Sequence, residues 1–204
     1  KDVIFKDIPY MLAVTFLEEY DEGTSYNWAQ DKVFSRQEAL KHYTRPEKTE
    51  PVLPKEAYEE LVEGNIDLLV EMVEAHQGTD FYFLLPPYSL LWWDSMHRTG
   101  QLEQYRYAAN RAMEKLLCYE NVRVYDFRGE ASIVLNLDYY MDPIHFSADI
   151  NYFMVEQAAN IDSAYRVTRE NYDIKVKEMD GLLERMIEEE IPIIFVQQDR
   201  EGKS

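Results

Sequence analysis

The chain holds a single cysteine, Cys118, and few cations: 21 Lys and Arg against 39 Asp and Glu, a formal net charge of −18. One thiol excludes an intrachain disulfide and a cysteine-built zinc cluster. Its apolar neighbours Leu116 and Leu117 suggest that it packs as a small core residue. So acidic a balance opposes nucleic acid and anionic membrane surfaces, which need a dense cationic patch, so nucleic acid is not an expected partner. No two histidines stand at a ligand spacing such as His-x-x-x-His, and the acidic clusters read as solvated faces. Neither a metal nor another cofactor is therefore expected. No apolar run approaches the roughly 18 residues that cross a bilayer, and no signal peptide is visible.

What is present reads as globular. A length of 204 residues, 46% hydrophobic and 14% aromatic, suffices for one domain with a sizeable core. Residues 1–54 form an irregular, mainly helical segment expected to pack on the rest. Apolar positions from Val3 to Phe16 suit a helix, and Ser35-Arg36-Gln37-Glu38 has the capping-box spacing that starts a short helix running to about Tyr43. Arg45-Pro46 ends it, and a charged connector runs to Pro54. From 55 to 204 helices and strands alternate. A helix to about His76, closed by Gly78, leads into a strand from Asp80 to Leu85. A helix from about Leu102 to Cys118 then leads into a strand from Val122 to Phe127. Helices from Ser147 to Asn160 and from Thr168 to about Glu190 follow, and Ile191 to Val196 reads as a last strand. This alternation predicts an α/β fold with parallel pairing. Three strands are few for such a sheet, so its edges are expected to be completed by upstream residues or by a second copy of the chain.

The densest chemistry lies in Asn136-Leu-Asp-Tyr-Tyr-Met-Asp-Pro-Ile-His145, where Asp142 stands three residues before His145 and a helix opens just beyond. A carboxylate at this spacing can turn back to accept from Nδ1 of the imidazole, fixing its tautomer and leaving Nε2 to act as general base toward a hydroxyl. Asp138 is the alternative acid, but seven residues separate it from His145 and leave the geometry undetermined. Pro86-Pro87-Tyr88-Ser89 falls at the carboxyl end of a strand, where open α/β sheets gather their functional loops. Ser89 or a neighbouring N–H is thus a candidate to line the same cleft and aid an oxyanion. Tyr88, Trp92 and Trp93 are candidates for a sugar-binding platform, or for ordinary core packing. His42, His76 and His97 read as solvated, His97 in a polar loop.

Strand, aromatic loop, Asp142-Pro-Ile-His145 and helix, in that order, resemble the last block of the SGNH (GDSL-type) hydrolase superfamily. Together with Phe81 to Ser89 and Trp92-Trp93-Asp94, they are similar to a bacterial cell-surface branch near the D-alanyl-lipoteichoic acid transfer protein and the alginate O-acetylation enzymes. The resemblance spans roughly residues 55 to 175. It implies a three-layer αβα fold with a mostly parallel sheet and Ser-His-Asp acyl transfer, as an esterase or O-acyltransferase on a cell-surface polysaccharide or teichoic polymer. A membrane acyltransferase is an implied partner, and the outer face of a bacterial cell, reached through an anchor outside this chain, an implied location. Members carry the nucleophile in a Gly-Asp-Ser or Gly-x-Ser turn after the first strand, and no such turn exists here. Gly23-Thr24-Ser25 follows the acidic stretch Glu18 to Glu22 and reads as a surface turn. The chain begins at Lys1 without a methionine, so the expectation is a C-terminal part whose serine lies upstream, inactive by itself. The alternative is a non-catalytic surface domain that keeps the fold for glycan binding or assembly.

Overall fold

Aromatic and β-branched residues dominate two short apolar runs, and such side chains suit a pleated surface buried on both faces. In the computed structural model, which describes residues 31–49 and 52–195, the runs pair as parallel strands. They are β1 (Phe81–Leu85) and β2 (Val122–Asp126), in register from Phe81 opposite Val122 to Leu85 opposite Asp126. The chain divides into two units, 1–33 and 34–204. Only residues 31–33 of the first are described. The expected helix between residues 2 and 16 and the turn at Gly23 to Ser25 lie outside the described residues.

The strand period of two sends alternate side chains to opposite faces. Phe81, Phe83, Leu85, Val122 and Val124 pack with Leu69 and Val73 of the helix before β1 and with Met113 and Leu116 of the helix before β2. Leu84 and Tyr125, of opposite parity, pack with Phe127, Phe153 and Met154. In chain order the helices are α1 (Arg36–Lys41), α2 (Glu59–Ala75), α3 (Leu90–Arg98), α4 (Leu102–Leu116), α5 (Ala131–Val134), α6 (Ala148–Ala159) and α7 (Tyr172–Arg185). A larger cluster, built on Leu90, Leu91 and Trp93 of α3, draws in Ala39, Val134, Tyr140, Leu183 and Met186. The result is mixed α/β. Among the described residues β1 pairs on one side only.

Several expectations need correction. The third strand is not the run at 191–196: β3 (Arg166–Val167) takes that place, antiparallel to β2. Residues 191–195 are helical, and Ile191 and Ile194 are buried while Ile193 between them is 52% exposed. The run is therefore one face of a helix, not a strand. The chain continues α7 through a π-helical turn, Met186–Glu190, so Glu188, Glu189 and Glu190 fall inside a longer helical stretch and not at its end. Residues 90–98, read from the sequence without a helix, form α3, and His97 sits in its last turn. The signal was present in Thr99-Gly100. Gly100 has φ 73°, and the bonds Gln101 N–H to Met96 O and Gly100 N–H to His97 O are those of a Schellman cap, which favours glycine at this position. Cys118 is exposed, its Sγ 3.6 Å from Glu114 O, because it falls four residues after Glu114, on the side that is exposed there. Apart from the four-residue α5, which the sequence reading did not anticipate, the other helices and β1 and β2 fall within a few residues of the expected positions.

At the end of β2 the side chains of Asp126 and Arg128 are 5% and 1% exposed, and the carboxylate accepts from Arg128 Nε at 2.8 Å, from Nη2 at 2.6 Å and from its backbone N–H at 3.0 Å. Asp126→Ala would strand a guanidinium that cannot discharge itself by losing a proton. The variant is expected to lose about 3–5 kcal/mol of stability. Urea unfolding measures this, and a loss below about 1 kcal/mol would mean that water reaches Arg128.

Candidate active site

Parallel strands finish on the same side of their sheet, so the loops after β1 and β2 leave from one edge. Two hydrogen bonds tie these loops together. Ser89 Oγ donates to Pro143 O at 2.7 Å, and Tyr140 Oη donates to Pro87 O at 2.6 Å. Ser89 and Tyr140 are both 0% exposed, and burial raises the Tyr140 phenol well above its ordinary range, which keeps it a donor.

The segment Met141 to His145 is closed on itself by Met141 N–H to His145 O, and Tyr140 forms a bridge with Phe146. Inside it Asp142 makes an Asx-type turn. Oδ1 accepts from the backbone N–H of Ile144 and of His145, each at 2.8 Å, and Oδ2 lies 2.7 Å from His145 Nδ1. This pairing places the ring proton on Nδ1 and assigns Nε2 as the basic atom. The imidazole is 54% exposed and the carboxylate 22%. Partial burial pushes the Asp142 carboxyl up, but the N–H groups of His145 and Ile144 and the imidazole outweigh it and hold the group below its ordinary value. Asp138, the alternative acid, is used elsewhere: its Oδ1 accepts from Arg36 N–H at 2.9 Å, at the start of α1.

Beside the Asp142 loop lies an open cleft of about 520 Å³. Asp142, Pro143 and Ile144 form one wall, Trp92, Ser95 and Met96 of α3 a second, and His42, Tyr43 and Thr44 a third. Of the four residues expected to line a cleft together with His145, only Trp92 borders this one, and His145 itself is not among its lining residues. Trp93 is 0% exposed in the core, as is Ser89 beneath the loop, and Tyr88 packs against Trp92 with ring centroids 4.8 Å apart. The hydroxyl of Ser89 therefore faces a backbone carbonyl, not the cleft.

Sequence reasoning missed what holds the third wall. Asp94, 1% exposed, accepts from Tyr43 Oη at 2.8 Å and from Arg45 Nε and Nη2 at 2.8 and 3.0 Å. Burial, and next the bond to Asp94, push the Tyr43 phenol far above its usual range. The signal was Asp94 itself, an acid directly after Leu90-Leu-Trp-Trp93, where burial demands partners. Comparison of the chain with protein-family models, curated proteins and solved structures finds no match.

Two predictions follow from this geometry. Ser89→Ala leaves Pro143 O without its donor and is expected to cost about 1–3 kcal/mol. It should also shift and broaden the downfield Nδ1 proton resonance of His145, whereas an unchanged resonance would mean that Ser89 does not hold the loop. The second concerns acid. A folded carboxyl held below its unfolded value contributes stability in full above about pH 4 and loses it as pH falls through the folded value. The stability difference between the natural chain and Asp142→Asn should thus be full near neutrality and shrink below about pH 4. A difference independent of pH in urea titrations would sever Asp142 from that linkage.

Proposed function

We propose that the chain supplies the base and its orienting acid to a serine esterase or O-acyltransferase of SGNH type, acting on a cell-surface glycan or teichoic polymer. The observation that supports this most is the Asp142–His145 pair, 2.7 Å apart on an exposed loop beside a cleft. In this reading His145 Nε2 takes the proton of an attacking serine hydroxyl and gives it to the leaving alkoxide; it then takes a proton from the water or acceptor hydroxyl that attacks the acyl-serine and returns it to the departing serine oxygen. Asp142 keeps the ring in the required tautomer and stabilises the imidazolium that forms. Ser89 does not fit as nucleophile, because its hydroxyl is buried and donates to Pro143 O. The serine is assigned to a segment preceding this chain, whose strands would complete a three-layer, mostly parallel sheet beside β1. The location proposed with it is the outer face of a bacterial cell, with a membrane acyltransferase as a partner.

The test compares this chain with the longer polypeptide that the proposal requires. The chain alone is expected to leave p-nitrophenyl acetate unhydrolysed, since a base without a positioned hydroxyl offers little acceleration. The longer protein should turn it over, and His145→Ala should lower that turnover by roughly 10⁴-fold or more. Full activity after His145→Ala would defeat the hydrolase reading. A longer protein that binds glycan without any turnover would favour the non-catalytic surface domain instead.

A further inference from the structure

The walls of the cleft select among the ligands that this reading allows. They are built from Trp92, Met96, Thr44, Ser95 and Asp142, with Tyr43 and with His42, whose Nε2 lies 2.8 Å from Glu38 Oε1. No lysine or arginine is among them. Three cations near the third wall are engaged: Arg45 on Asp94, Lys41 on Glu38 at 2.9 Å, and Arg98 Nε on Pro46 O. The chain as a whole carries −18. A polyanion would meet a like-charged protein and no lysine or arginine in the wall, a pairing that disfavours binding and slows encounter. The aromatic and hydroxyl-bearing residues of the wall, with no lysine or arginine beside them, instead suit a ligand that presents C–H faces and hydroxyls alternately, as a sugar ring does. A volume of about 520 Å³ lies within the usual span of small-molecule pockets.

We infer that this cleft is a subsite for an uncharged glycan segment and discriminates against polyanionic polymers. The inference rests on the proposed function for its link to catalysis, but the binding itself does not require turnover. It separates this chain from the polymers named by the resemblance, since lipoteichoic acid and alginate are both polyanions. Trp92 would lie under the ring, and Ser95 and Thr44 would bond its hydroxyls. The Asp142 carboxylate in the opposite wall would repel phosphate or uronate groups.

Tryptophan emission and calorimetry on the 204-residue chain read this directly. The probes are neutral tetra- to hexasaccharides of glucose, mannose and N-acetylglucosamine, set against oligo(glycerol phosphate) and oligoalginate at about 0.15 M salt. At least one neutral series should bind and neither anionic one should. Ser95→Phe, which fills the cleft from the partly exposed side of α3, should weaken the neutral ligand by about tenfold or more. Thr44→Lys, at an exposed position, should create salt-sensitive binding of the anionic oligomers. Tighter binding of either anion by the natural chain, binding of no probe, or a neutral affinity untouched by Ser95→Phe overturns the inference. Neutral binding that survives while His145→Ala leaves turnover in the longer protein intact would instead sink His145 as the base and keep the subsite.

Discussion

The hydrogen bond from Ser89 Oγ to Pro143 O is the constraint on which the site's geometry depends. Pro143 lies between the two residues of the candidate dyad, and its carbonyl must point away from the carboxylate for Ile144 N–H and His145 N–H to reach Asp142 Oδ1. A buried hydroxyl at 2.7 Å fixes that direction. Tyr140 answers from the other loop by bonding Pro87 O, so each loop donates one bond into a proline carbonyl of the other. Proline has no N–H to offer an alternative pairing, and its φ is set. The net stabilisation from each such bond is modest, about 0.5–1.5 kcal/mol, but a buried carbonyl left unpaired costs more. The two bonds act less as glue than as a filter on which loop conformations are compatible with a closed core.

Helix α3 carries the consequence outward. Ser89 caps its first turn through its backbone carbonyl, which accepts from Trp92 and Trp93 N–H, so the side chain is left to reach Pro143. One turn on, Asp94 is desolvated, a state tolerable only because Tyr43 and the two guanidinium nitrogens of Arg45 supply three donors. Arg45 in turn lies 4.1 Å from the centroid of the Phe195 ring. Trp93, edge-on to Trp92 and Tyr105, roots the helix in the core, and Trp92 turns one flank to the cleft. Two walls are therefore bonded to a third that is itself rigid, which is what a site needs if its first contacts are not to drift.

How much of this could be read in advance depended on how local each cause is. The Asp142–His145 contact spans three residues and an Asx turn, so residue type and spacing sufficed. The cap at Ser35 is equally local, its Oγ accepting from Glu38 N–H at 3.1 Å. Glu38 does not return the favour, since Lys41 and His42 hold its carboxylate and Ser35 N–H goes to Tyr140 O. Readings that depended on distant partners fared worse. Ser89 and Trp93 looked like cleft residues because they follow a strand, but their burial is decided by segments about fifty residues away. The run at 191–195 has strong β-propensity, yet packing of Ile191 and Ile194 into the cluster around α3 decides it as helix, an instance of tertiary context overriding propensity. The two-residue β3 has no periodicity to detect at all.

In the proposed reading, the same geometry bears on where a nucleophile would come from. Parallel strands lie about 4.7–4.9 Å apart and release their following loops on one side. The loop after β2 carries His145, and the loop after β1 carries Ser89, whose hydroxyl is already committed to the first loop. Among the described residues the far edge of β1 has no partner strand. Its residues Phe81 to Leu85 carry no charge or proline of the kind that guards an exposed edge. A further parallel strand there would release its own loop beside the Pro86–Ser89 turn, one strand spacing beyond it, on the edge that already presents the imidazole. A serine delivered by that loop would leave the Ser89 bond to Pro143 in place. A serine recruited from position 89 would break the bond that orients its own base.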